Sequence, residues 1–167
     1  AGLFLMVGMI YERCHTRDLA AYGGIARLLP VYSFFFMLLT LASIGLPTTS
    51  GFTGEFLVLL GAFTASWPQY QQGNSLPLAL AIIAVSGVVL GALYMLRLAQ
   101  HFLFGAVKAP HAPLADLDRR EKWILATIVV AVFALGLFPD EPMQKTELAA
   151  KQFQQLVTTP RLPGGKP

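Results

Sequence analysis

The sequence predicts an all-α fold, a polytopic transmembrane helical bundle with one discontinuous helix. Three observations predict it. The chain is 55% hydrophobic and only 13% charged, about half the charge of an average soluble domain, and its mean hydropathy is +0.60. From Leu28 to Leu96 the only formally charged side chain is Glu55. In the middle of the apolar run 31–66 stands Gly45-Leu46-Pro47-Thr48-Thr49-Ser50-Gly51. Pro47 lacks an amide hydrogen and clashes with a preceding helical turn, and the glycines and hydroxyl residues favour non-helical backbone.

The first apolar run, 1–11, is shorter than the about 20 residues that a membrane helix needs. No basic segment precedes it, so it does not read as a signal peptide. It reads as the end of a helix in the C-terminal piece of a longer polytopic protein. A polar stretch, 12–29, follows with Arg13, His15, Arg17, Asp18 and Arg27 and a Gly23-Gly24 break. The second segment, 31–66, would be roughly 54 Å long as one straight helix, against a hydrocarbon core of about 30 Å. It is therefore expected to be interrupted, over 45–53. The third segment covers 77–104 and the fourth 123–139. Beyond them 142–157 suits a surface helix, with Leu148, Phe153, Leu156 and Val157 as its apolar residues, and 159–167 reads as a disordered end.

Charge bias sets the orientation. The linker after the first segment carries Arg13, Arg17 and Arg27. The linker 67–76 carries no lysine or arginine, and the end of the third segment with the linker after it carries Arg97, Lys108, Arg119, Arg120 and Lys122. By the positive-inside rule the two basic linkers face the cytoplasm or matrix and 67–76 faces out. This requires 31–66 to cross the bilayer once, as an interrupted helix and not a hairpin. A net charge of +3 spread over short segments leaves no nucleic-acid footprint. The single cysteine, Cys14, excludes a disulfide framework and any multi-cysteine metal site. No phosphate loop, nucleophile elbow, paired carboxylates or metal-spaced His/Cys cluster occurs, so the chemistry expected of this chain is proton movement.

Glu55 is the first candidate. A carboxylate at membrane depth costs roughly 2.5–3.5 kcal/mol on insertion scales, and such residues face a cavity or partner and mark proton or ion paths. If the second half-helix begins near Thr53, with that hydroxyl as cap, Glu55 falls in its first turn. The helix dipole there favours the ionised form, while burial opposes it. A carboxyl balanced between the two exchanges protons near neutral pH. The alternative is a carboxylate that merely caps the half-helix at the interface. The break, Pro47 to Gly51, is the second candidate, because unwound backbone at membrane depth is tolerated only inside protein or beside an aqueous cavity. Such interruptions recur at transporter ion sites. Thr48, Thr49 and Ser50 offer hydroxyls to freed backbone groups or water; the alternative is a plain proline kink. Arg97 is expected to snorkel to the inner interface or to pair with an acid elsewhere. His101, four residues further on and on the same helix face, is a proton-relay candidate or a headgroup-level polar residue.

Two stretches carry a resemblance. Ala1-Gly2-Leu3-Phe4 leading to Tyr11-Glu12-Arg13 and His15-Thr16-Arg17-Asp18, and Gly45-Leu46-Pro47 through Ser50-Gly51-Phe52-Thr53-Gly54-Glu55-Phe56, resemble the subunit M (mitochondrial chain 4) family of proton-translocating NADH:quinone oxidoreductase, respiratory complex I. In the sister antiporter-like subunits a lysine replaces this glutamate. The resemblance implies an antiporter-like fold of inverted helical repeats, with Glu55 as proton carrier on the outward-leading half-channel. It further implies partners among the other membrane-arm subunits, especially neighbouring antiporter-like ones, in a lipid bilayer, expected to be a bacterial inner membrane. No cofactor is expected in this chain; NADH, flavin, iron–sulfur clusters and quinone would belong to other subunits. One departure stands out: the family has glycine after the proline, and here the residue is Thr48. A multi-subunit cation/proton antiporter and a non-conducting scaffold are the competing functions.

Overall fold

The computed structural model describes residues 1–107 and 114–139, together with 147, 150, 151 and 153. The described residues form helices α1 (Gly2–Cys14), α2 (Ile25–Leu28), α3 (Pro30–Ile44), α4 (Ser50–Gln71), α5 (Leu76–Leu103) and α6 (Arg119–Leu137), with a 3-10 turn at Leu19–Ala21. Two compact units result, Ala1–Leu137 and Phe138–Pro167. In the second, Glu147, Ala150, Lys151 and Phe153 are helical, and Glu147 pairs with Lys151 one turn on. The rest of the surface helix expected at 142–157 and the tail 159–167 lie outside the described residues.

Side-chain contacts fix the directions of the helices in the first unit. The Tyr32 hydroxyl donates to the Met6 carbonyl at 2.9 Å, and Gly2 lies against Leu39, so α1 and α3 run antiparallel. The Phe102 ring sits 4.9 Å from Phe36 and 6.3 Å from Tyr32, so the end of α5 meets the start of α3. With these aromatics, Met6, Ile10, Leu29 and Leu125 form the buried core. The α4–α5 pair is a helical hairpin closed by the turn at 72–75. At about 42 Å for its 28 residues, α5 is long enough to carry α4 along its first half and α3 along its second. The chain from α3 to α4 therefore advances in one direction along α5 instead of doubling back.

Helix ends explain the local folding. α3 begins with Pro30, whose missing amide hydrogen costs nothing in a first turn. Its next two amides, of Val31 and Tyr32, donate to the Asp116 carboxylate at 2.9 and 3.1 Å. A residue 85 positions away thus caps the positive helix end. α1 stops where His15 turns left-handed at φ 53° and donates its amide to the Tyr11 carbonyl. Several boundaries differ from those read in the sequence: α1 extends beyond residue 11 to Cys14, α4 continues through Pro68 to Gln71, and α6 starts at Arg119.

Among the described residues, α5 is the one helix long and apolar enough to cross a membrane alone. α3, at 15 residues, reaches about 22 Å. Exposure is large and apolar: Val58, Ile83, Leu90 and Val130 all stand out from the surface, and α4 buries only Ser66. Contiguous apolar surface of this kind suits lipid or further protein and not water.

Candidate functional site

The interruption occupies Gly45–Thr49. α3 ends on Gly45 at φ 93°, with the Leu46 amide donating back to the Leu41 carbonyl at 3.1 Å, a left-handed helix end that glycine adopts without a Cβ penalty. The chain then turns within four residues. Thr49 donates both its amide, at 3.0 Å, and its hydroxyl, at 2.7 Å, to the Leu46 carbonyl. Pro47 takes the second position of this turn and Thr48 the third, with φ at 87°. This is the pattern of a type II turn, whose third residue needs positive φ and is therefore glycine by preference. Threonine is β-branched, and holding it there costs about 1–2 kcal/mol. The departure noted in the sequence thus has a physical meaning: Thr48 puts strain into the break.

The helix restarts at once. Thr49 is the cap position and Ser50 the first helical residue, so the expected cap at Thr53 and the break reaching residue 53 are both corrected. Glu55 is the sixth residue of α4 and stands in its second turn, beyond the first turn where the dipole acts most strongly. Among the described residues Thr49 is the only hydroxyl of Thr48, Thr49 and Ser50 that bonds the freed backbone. The two half-helices overlap side by side, with Gly51 facing the Ala42 carbonyl so closely that a methyl there would stand 3.0 Å from its oxygen.

That overlap places Glu55. A Cβ on Gly45 would lie 3.0 Å from its Oε2, so the carboxylate rests over the glycine that ends α3. It opens into a cavity of about 370 Å³ lined by Ser43 and Ile44 of α3 and by Ala84, Gly87, Gly91 and Tyr94 of α5. The small residues of α5 leave the space that the carboxylate faces. Glu55 is exposed, and no hydrogen bond or ion pair reaches it among the described residues. The carboxylate thus stands beside an unwound turn and faces a cavity, with no fixed partner among the described residues.

The other end of the interruption is closed by α6. Gly136 is packed on the peptide between Thr48 and Thr49: a methyl there would overlap the Thr48 carbonyl oxygen, 2.5 Å from the carbonyl carbon of Thr49 and 2.7 Å from that of Thr48. Arg97 and His101 are not part of this site. Both are exposed. His101 lies ten residues beyond Gly91, about 15 Å along α5, on a separate cavity with Asp18, Tyr22 and Gly23.

Sequence reasoning missed a polar cluster at the opposite end of the unit. Arg13 binds Glu121 through two bonds of 2.7 and 3.1 Å, a bidentate geometry, and donates to the carbonyls of Met9 and Ala115 at 2.8 and 3.0 Å. The guanidinium holds the Glu121 carboxyl below the usual carboxylate range, and the pairing raises Arg13 in turn. Nearby, burial pushes the Cys14 thiol up, and burial followed by the Cys14 neighbour pushes the Tyr22 phenol to about 12. In the sequence Arg13 is one basic residue among several, and no local pattern pairs it with a residue 108 positions away.

Fold and site define a class: a membrane-embedded helical bundle with a discontinuous helix and one carboxylate at its interruption. Residues 1–75 match the family described as NADH:quinone oxidoreductase/Mrp antiporter, transmembrane. It is 45% identical over 139 residues to NADH-quinone oxidoreductase subunit M of Rhodobacter capsulatus, covering 82% of this chain and 25% of that protein. It is 42% identical over 142 residues to NADH-ubiquinone oxidoreductase chain 4 of Marchantia polymorpha, covering 84% and 26%. Among solved structures it is similar to a chain of respiratory complex I from Thermus thermophilus with bound NADH, at a TM-score of 0.66 and 37% identity over 83% of this chain and 27% of that one. The chain thus spans between a quarter and a third of the length of these relatives.

Proposed function

We propose that the chain is part of a proton-translocating membrane subunit of an NADH:quinone oxidoreductase, with Glu55 carrying protons on the outward-leading half-channel. The observation that carries this reading is the Glu55 carboxylate itself, laid over Gly45 at the interruption and open to a cavity between α3, α4 and α5. The relatives are subunits of that enzyme. Redox groups then belong elsewhere: NADH, flavin, iron–sulfur clusters and quinone on other subunits, with neighbouring antiporter-like subunits as the membrane partners. We place the protein in a bacterial inner membrane, with the basic linkers inward.

The test is proton pumping in inverted membrane vesicles with Glu55→Gln in the full-length gene, normalised to NADH:quinone turnover. Loss of most pumping or turnover in a fully assembled complex is expected. Wild-type values for both would end the proton-carrier reading. A second reading, a subunit of a cation/proton antiporter, is favoured by the matched family, whose description includes the Mrp antiporter. It requires sodium-dependent proton exchange without NADH.

A further inference from the structure

The interruption is not held by its own hydrogen bonds alone. Its inner turn rests on one carbonyl, that of Leu46, which accepts both donors of Thr49. Its third residue stands at a φ that threonine avoids. Left to itself, such a turn relaxes by rotating the Thr48–Thr49 peptide, and that rotation would shift the first turn of α4 and move Glu55 off Gly45. The structure supplies a stop. α6 meets the turn at Gly136 with backbone against backbone, so closely that a single methyl group has no room. In α4 and α5, Gly54, Gly61 and Gly87 have nothing within 4 Å of the position a Cβ would take, and a Cβ on Gly51 would come no nearer than 3.0 Å to the Ala42 carbonyl oxygen. Among the described glycines the approach is tightest where α6 crosses the strained peptide. The far end of α6 is anchored through Glu121 to Arg13 of α1, so the helix is fixed at one end and presses on the break at the other.

We propose that Gly136 is a positioning residue: its bare backbone clamps the Thr48–Thr49 peptide in the strained turn and so holds α4 where Glu55 lies over Gly45. The proposal rests on Glu55 as the proton carrier for its effect on pumping, but the clamp itself is a statement about the backbone and is measured separately. Gly136→Ala forces the Thr48 peptide to move. Thr48→Gly lets the turn accommodate that movement, because glycine reaches positive and negative φ with similar ease.

The experiment uses the full-length protein assembled in its complex. Hydrogen exchange followed by mass spectrometry is read over 46–49, beside pumping per NADH oxidised, for Gly136→Ala, Thr48→Gly, their combination and Glu55→Gln. We expect Gly136→Ala to speed exchange over 46–49 at least tenfold and to lower pumping per turnover at least threefold. The double variant should recover at least half of the pumping, and Glu55→Gln should leave exchange unchanged. Unaltered exchange in assembled Gly136→Ala overturns the clamp, whatever the pumping does. Lost pumping that Thr48→Gly fails to restore also overturns it, since Gly136 would then act by another route. If Gly136→Ala does not assemble, the double variant must assemble, and its failure to do so counts against the proposal in the same way. Faster exchange in Gly136→Ala beside full pumping in Glu55→Gln would uphold the clamp and remove the proton-carrier reading instead.

Discussion

At the residue scale, Arg13 and Glu55 stand at two extremes among the described residues, one tightly partnered and the other without a fixed partner. Arg13 and Glu121 form a bidentate pair with side chains 15% and 18% exposed, so each neutralises the other with little solvent screening. Removing Arg13 leaves Glu121 charged and half-buried without its partner; Arg13→Ala should cost about 2 kcal/mol. The check is the thermal transition of the purified complex, with hydrogen exchange at the start of α6 as the local reading. The sign of the pH dependence follows from the lowered Glu121 carboxyl. A carboxyl depressed by folding adds stability above its unfolded value, and that stability is lost as pH falls through the folded one. The α1–α6 tie should therefore be unaffected around neutrality and loosen only in acid, below the ordinary glutamate range, and Glu121→Gln should abolish that acid-sensitive step. Glu55 is the opposite case, a carboxylate with no fixed partner among the described residues, and a change there should be felt in function before stability.

At the element scale, the broken helix depends on two left-handed residues with different tolerances. Gly45, at φ 93°, ends α3, and its missing side chain also makes room for the Glu55 carboxylate. Gly45→Ala meets both constraints at once: strain of about 1–2 kcal/mol at that φ and displacement of the carboxylate. Pumping per turnover in inverted vesicles should fall with the complex assembled, and a variant that pumps normally would show that the Glu55–Gly45 contact is dispensable. The interruption itself was legible, because Pro47 and its flanking glycines act locally. Its limits were not. Thr53, a hydroxyl two residues before an acid, reads as a helix cap. The turn at 46–49 instead closes tightly enough for α4 to restart at Ser50, and nothing in the local pattern distinguishes the two. The Asp116 cap on α3 and the approach of Gly136 to Thr48 are contacts across most of the chain, and a contact of that range leaves no periodicity or spacing to read.

At the scale of the whole unit Ala1–Leu137, helix directions and charge agree on a single orientation. α5 runs past both half-helices, with the start of α3 at Phe102, the interruption near Gly87 and Gly91, and the hairpin turn to α4 at 72–75. Arg13, Arg119, Arg120 and Lys122 belong to the end where α1 finishes and α6 begins. Arg97 sits on the second half of α5, toward that end, whereas the hairpin turn carries no charge. A bilayer sorts such a molecule, because lysine and arginine are retained on the cytoplasmic side while an uncharged loop is readily moved across. The turn at 72–75 should therefore face outward and the start of α6 inward. In a cysteine-free version of the full-length gene, Asn74→Cys should react with a membrane-impermeant maleimide in right-side-out spheroplasts and not in inverted vesicles. Arg120→Cys should show the reverse. Labelling of both positions from the same side would mean that α5 does not carry the chain across the bilayer, and the single-crossing orientation would fail.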